Sequence, residues 1–151
     1  MLPGLALAAC VVLGGLAVAQ DAEPVAPKLT PKLQDLLRKE MRAIEEASRQ
    51  IIAALVRGDD QRVAELAQQI HDSFILRQSM TPEDKQDLMA AVPEEFVRQD
   101  RDFHQISAAL AQAARDGDRA AQHQKYSRMI QACSACHARY ATDRFPKFAG
   151  E

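Results

Sequence analysis

Tryptophan is absent from this 151-residue chain, and tyrosine and phenylalanine are scarce, at two and five residues. The 47% hydrophobic fraction therefore rests on Ala, Leu, Ile and Val, a composition that favours helices. Charge of one sign is missing too. Nineteen basic and 21 acidic residues are interspersed and leave a formal net charge of −2, which gives no footprint for nucleic acid and no acidic tail. Cysteine is limited to Cys10, Cys133 and Cys136, too few for a disulfide framework.

No Lys or Arg precedes Lys28, and Leu2 to Ala19 carry no charge at all. This run ends in Ala17-Val18-Ala19 before the polar Gln20-Asp21-Ala22-Glu23, the small-x-small pattern of a secretory signal cleaved after residue 19. Two rival readings are a membrane anchor of about 18 apolar residues and a lipobox at Leu7-Ala8-Ala9-Cys10. Cleavage after Ala19 would remove Cys10, leaving Cys133 and Cys136 and no membrane span. Residues 20–30 contain Pro24 and Pro27 among small and charged residues, the composition of a flexible leader. The remaining 31–148 suffice for one domain with a real core.

Thr30-Pro31 offers an N-cap oxygen followed by proline at the first helical position. Leu33, Leu37, Met41, Ile44, Ser48, Ile51 and Leu55 then recur at helical spacing, predicting a helix from Pro31 to Arg57. Gly58 and Asp59-Asp60 end it and cap a second helix carrying Val63, Leu66, Ala67, Ile70 and Phe74. Thr81-Pro82-Glu83-Asp84 starts a short helix that Pro93 interrupts before a third long one with Phe96, Phe103, Ile106 and Leu110. Asp116-Gly117-Asp118 is the last break, and Tyr126, Met129, Ile130, Cys133, His137 and Tyr140 line the last helix. The expected fold is an all-α, antiparallel four-helix bundle.

The chemistry sits in Cys133-Ser134-Ala135-Cys136-His137. Two thiols can add across the two vinyl groups of a haem while the adjacent imidazole binds its iron, and this C-x-x-C-H spacing suits both demands. On a helix the three side chains fall within an arc of about 100°. A thioredoxin-like pair would want a βαβ context, and a zinc site would want two further ligands at matching spacing. Neither is present.

With its attachment motif on the last helix, the sequence resembles the class II c-type cytochromes, the cytochrome c′ family, over roughly Pro31 to Phe148. Cys133 to Tyr140 resembles the family's C-x-x-C-H-x-x-aromatic run, although Ala141 stands where an arginine often follows, the nearby arginines being Arg139 and Arg144. The resemblance implies one covalent haem c on the last helix, with His137 as proximal iron ligand. It also implies a distal methionine on the first helix shortly after an arginine, which Arg38-Lys39-Glu40-Met41 offers. Met41, placed by the periodicity on the inward face, is the first choice as sixth ligand. Arg38 and Tyr140 are candidate contacts of a haem propionate or edge. Met80, Met89 and Met129 rank lower, as do His71, His104 and His123.

The function expected is one-electron transfer in the periplasm with a redox partner protein, no enzymatic activity, and homodimerisation as in many relatives. One alternative is a five-coordinate, high-spin cytochrome that binds nitric oxide or another small gas. Another is a haem-free helical interaction module.

Overall fold

The computed structural model describes residues 22–148. The expected signal segment, Cys10 included, lies outside them. Among the described residues six α-helices follow one another: α1 Pro31–Arg57, α2 Asp60–Asp72, α3 Leu76–Ser79, α4 Pro82–Ala91, α5 Glu94–Arg115 and α6 Arg119–Tyr140. The all-α expectation holds, but the count of four is corrected to six. The link between the second and third long helices folds into α3 and α4, of which α4 alone was expected.

Local cap chemistry sets the boundaries. The Thr30 hydroxyl accepts from the Leu33 N–H at 3.3 Å, with Pro31 at the first helical position. Gly58 closes α1 in the left-handed region at φ 69°, and the Asp59 carboxylate then accepts from the Arg62 N–H to start α2. A reciprocal capping box joins Thr81 and Asp84 at α4, and Asp118 caps α6.

The long helices pack in sequence, α1 on α2, α2 on α5 and α5 on α6. On the fourth side of the bundle the α1 and α6 backbones hardly approach one another, and side chains bridge them, Ile44 and Ile51 with Met129 and Leu33 with Tyr140. A hydrogen bond also joins them, from the Tyr126 hydroxyl on α6 to the Ser48 carbonyl on α1 at 3.0 Å.

On α1 the buried stripe is Leu33, Leu36, Glu40, Ile44, Ala47, Ile51 and Ala54. This corrects the stripe read from periodicity, which holds at Leu33, Ile44 and Ile51 but not at Met41. The reason is packing. Ala47 and Ala54 join Ala64 and Ala67 of α2 in one core cluster, where small side chains let α1 and α2 lie close. Leu37, Met41, Ser48 and Leu55 are left on the side turned toward α6.

The interior divides into two apolar clusters. The upper one joins Ile44, Ile51, Val63, Leu66, Ile70, Leu110 and Met129 with Phe103 and Tyr126 at its margin. The lower one joins Val25, Leu29, Leu33, Val92 and Tyr140, with Leu37, Phe96, Val97 and Cys136 packed against it. The break between them falls at residues 38–43 of α1, 98–102 of α5 and 130–135 of α6.

Residues 22–30, expected as part of a flexible leader, are packed in the structure. The Glu23 and Val25 N–H groups donate to the Arg139 and Tyr140 carbonyls at 2.7 and 3.0 Å, and Val25 and Leu29 are buried. Those bonds take up two of the carbonyls that the C-terminal end of α6 leaves free.

Candidate functional site

Arg119 to Tyr140 contains no proline or glycine, so α6 runs unbroken through the Cys133 to His137 motif. Cys133 and Cys136 are half-buried and free of any disulfide. Burial pushes the Cys133 thiol above its ordinary range. The Cys136 thiol is pushed up to about 11, first by burial and then by the nearby Asp100 and Cys133. Both sulfurs are thus held as thiols. A disulfide-exchange pair works instead through a depressed thiol and a ready thiolate, so the environment argues against that chemistry.

His137 is also half-buried. Burial first, and then the charge of Arg144, lowers its pKa, so the imidazole is neutral at neutral pH and has a lone pair to offer a metal. The chain turns sharply after α6, with the Arg144 and Phe145 N–H groups both donating to the Ala141 carbonyl. That turn stacks the Phe145 ring on His137, with centroids 4.7 Å apart and planes 20° from parallel.

The register of α1 against α6 follows from two anchors. Ser48 pairs with Tyr126, and Leu33 shares the lower cluster with Tyr140. The helices therefore run antiparallel, and about two turns below the Ser48–Tyr126 bond Met41 comes level with Cys133. Near a further turn down, Leu37 comes level with His137.

Met41 is 38% exposed. Its expected inward orientation is corrected: it lies at the α6 side of α1, since Glu40 occupies the buried position beside it. Arg38 is exposed on α1. Tyr140 is fully buried, its ring edge-on to Phe96 at 5.3 Å, and its hydroxyl has no hydrogen-bond partner.

The remaining candidates are engaged elsewhere or stand apart from the motif. Met129 is fully buried and accepts from the Ser107 hydroxyl at 3.6 Å. Met80 packs on the lower cluster and Met89 is exposed. His71 Nδ1 bonds the His104 carbonyl, and His104 Nδ1 bonds the Ile70 carbonyl, stitching α2 to α5. His123 borders a hollow of about 390 Å³ between α1 and α6, with Ile52, Leu55, Val56, Tyr126 and Ser127.

Three residues near the site went unforeseen. Phe145 has no sequence signal, because its stacking depends on the turn. Asp100 lies at the break between the clusters, and although half of its side chain remains open to water, its carboxyl is raised chiefly by desolvation, with Glu40 adding and His104 opposing. Glu40 is only 2% exposed, and its carboxylate accepts from the Ser73 hydroxyl and from the N–H groups of Phe74, Ile75 and Leu76 at 2.6–3.0 Å. Its signal was its place between Leu36 and Ile44 on one helical face. Removing the carboxylate would leave four donors unpaired, each at a cost of about 1–3 kcal/mol where water cannot reach.

Among the described residues no group of three or more His, Cys, Asp or Glu is arranged to hold a metal ion. The donor set instead fits a haem. Two thiols and a neutral imidazole share one face of α6, with Cys133 at the break between the apolar clusters and Cys136 at the margin of the lower one, where the α1 and α6 backbones stand apart. The unpartnered Tyr140 hydroxyl is a spare donor near the same end.

A helical bundle with this constellation on its last helix has the design of a helical haem-binding carrier. The chain belongs to the cytochrome c′ family: residues 32–141 match the family model for cytochrome C′. Proteins of this family are non-catalytic carriers. No curated protein and no solved structure matches it.

Proposed function

We propose that the protein is an exported mono-haem c-type cytochrome that carries single electrons to or from a periplasmic redox partner. The observation that carries this reading is the common face of α6 shared by Cys133, Cys136 and neutral His137, in a chain of the cytochrome c′ family. Bound haem c supplies an iron that changes reversibly between ferric and ferrous.

The chain's own groups divide the remaining work. Cys133 and Cys136 anchor the group, and His137 provides the proximal nitrogen, its ring steadied by Phe145. Met41 is the proposed distal ligand, level with Cys133 of the facing α6. A thioether there favours the ferrous iron and raises the potential. Arg38 and Tyr140 are the proposed donors to the haem propionates or edge. Export rests on the apolar run before Ala19. Among the described residues no helix is long and apolar enough to cross a membrane. Homodimerisation through α1 and α2 belongs to the same proposal, and exposed Ile52 and Val56 support it.

The exposure of Met41 favours one second reading, a five-coordinate iron that binds nitric oxide or another small gas. One experiment separates the two. Protein made in a host with c-type maturation is assayed by pyridine haemochrome and by oxidised and reduced spectra, beside Met41→Ala. A low-spin ferric spectrum with a far-red sulfur-to-iron band, lost in Met41→Ala, supports the carrier. A wild type already high-spin and open to carbon monoxide supports the gas binder, and absence of thioether-linked haem refutes both. Mass spectrometry of the exported protein should give Gln20 as its first residue, and a lipid on Cys10 would overturn the cleavage site.

A further inference from the structure

Glu40 is a buried carboxylate with no part in the proposed haem chemistry, yet it receives more hydrogen bonds than any other side chain of the described residues. Its four donors lie 33 to 36 residues away, three in the link between α2 and α3 and the fourth, Leu76, at the start of α3. Ser73, one of them, has φ +64°, a left-handed conformation that a serine rarely adopts. Its hydroxyl both donates to Glu40 and accepts from the Arg77 N–H. The carboxylate thus holds a strained turn in place and ties α1 to it.

The tie matters because the α1 backbone lies close to α2 and α3 but not to α6. It reaches α6 through the Ser48–Tyr126 bond and through the two apolar clusters. The apolar packing that fixes α1 is interrupted at residues 38–43, between the two clusters. Glu40 is the clamp at that interruption, one residue from Met41. It is also close enough to Asp100 to raise that carboxyl, and Asp100 in turn acts on Cys136, so the clamp stands at the level of the attachment thiols.

We propose that Glu40 is a positioning residue: its clamp on residues 73–76 sets how closely α1 lies to α6 at the cysteine level, and so which side chain of α1 the iron meets. This rests on the haem-carrier reading. A carboxylate suits the task because each of its oxygens accepts two of the four bonds. An amide at the same place would point its NH₂ group at two of the donors.

The test compares wild type, Glu40→Gln and Glu40→Asp as holoproteins, by haem content, ferric spectrum, carbon monoxide binding and hydrogen exchange at amides 74–76. The proposal expects Glu40→Gln to keep its thioether-linked haem while amides 74–76 lose protection. It also expects that variant to lose the low-spin fraction and bind carbon monoxide faster, with Glu40→Asp lying between. If wild type is high-spin, the expected change is in the carbon monoxide rate alone. Faster amide exchange with an unchanged spectrum and an unchanged carbon monoxide rate would make Glu40 a structural brace and overturn the proposal, leaving the carrier reading intact. Wild-type protein without attached haem would overturn the carrier reading, and this proposal with it.

Discussion

Tyr140 carries a hydroxyl that is buried without a partner, and an unpaired polar group in a dry place is a cost that a protein keeps only for a reason. If the reason is a haem propionate, Tyr140→Phe has opposite signs in the two forms of the protein. The apoprotein sheds an unpaired donor and should be as stable as wild type or more so, by up to about 1–3 kcal/mol. The holoprotein loses a bond to a charged acceptor and should be weaker by about 1.5–3 kcal/mol. Thermal melts of both forms check this, and equal shifts of one sign would show that the hydroxyl does not meet the haem. At this scale the sequence was most legible where chemistry is local. Cys133, Cys136 and His137 lie within little more than a helical turn, so their common face follows from spacing. Glu40 had a signal for burial in its place between Leu36 and Ile44, but its partners were illegible for the converse reason: they are more than thirty residues distant, and a charged side chain is ordinarily read as solvated.

The helices met their expected boundaries at Thr30-Pro31, Gly58-Asp59, Thr81 and Asp118, since each cap is settled within four residues, but α2, expected to carry Phe74, ends at Asp72 where Ser73 turns the chain. The stripe of α1 was less legible. Periodicity cannot tell a face turned to the core from an adjoining face at its margin, and Leu37, packed at the edge of the lower cluster, and the exposed Met41 belong to the second. Within the α2–α5 link, Asp84 is the ionic hinge. Its carboxylate accepts from Lys32 on α1 at 2.6 Å and from the Thr81 N–H and hydroxyl, and these bonds, Lys32 first, hold its pKa at about 2 against an ordinary 3.8. A carboxyl depressed on folding stabilises the native state above its ordinary pKa, and that contribution fades as pH falls through the folded value. Wild type should therefore lose this support between about pH 4 and pH 2. Asp84→Asn should be less stable than wild type at pH 5 and approach it near pH 2, by urea melts at both; a gap that does not narrow in acid would refute the ionic account. Tyr126→Phe tests the other tie on α1. It removes the bond to the Ser48 carbonyl and should cost about 0.5–1.5 kcal/mol in the same melts.

For the molecule as a whole, the poverty in aromatic residues and the divided core are two sides of one fact. A chain with no tryptophan fills its upper half largely with Ile, Leu, Val and Ala, but at the level of Cys133 the two apolar clusters part and Glu40 and Asp100 are found instead. A haem fixed at Cys133 and Cys136 would supply the missing apolar bulk there and join the two clusters. Replacing both cysteines by Ala should then separate them in stability rather than weaken the bundle evenly. The upper cluster, closed by α1, α2, α5 and α6, should retain helix and slow amide exchange. The lower one, which depends on the 22–30 segment, α4 and the ends of α1 and α6, should exchange first and melt at lower temperature. Hydrogen exchange resolved by segment, together with circular dichroism, reads this directly. As a control, Leu110→Ala opens a cavity in the upper cluster and should cost about 2–5 kcal/mol with or without the haem. A double-cysteine variant that melts as one unit at the wild-type temperature, with the lower amides as protected as the upper, would mean that the two clusters support each other without any haem between them.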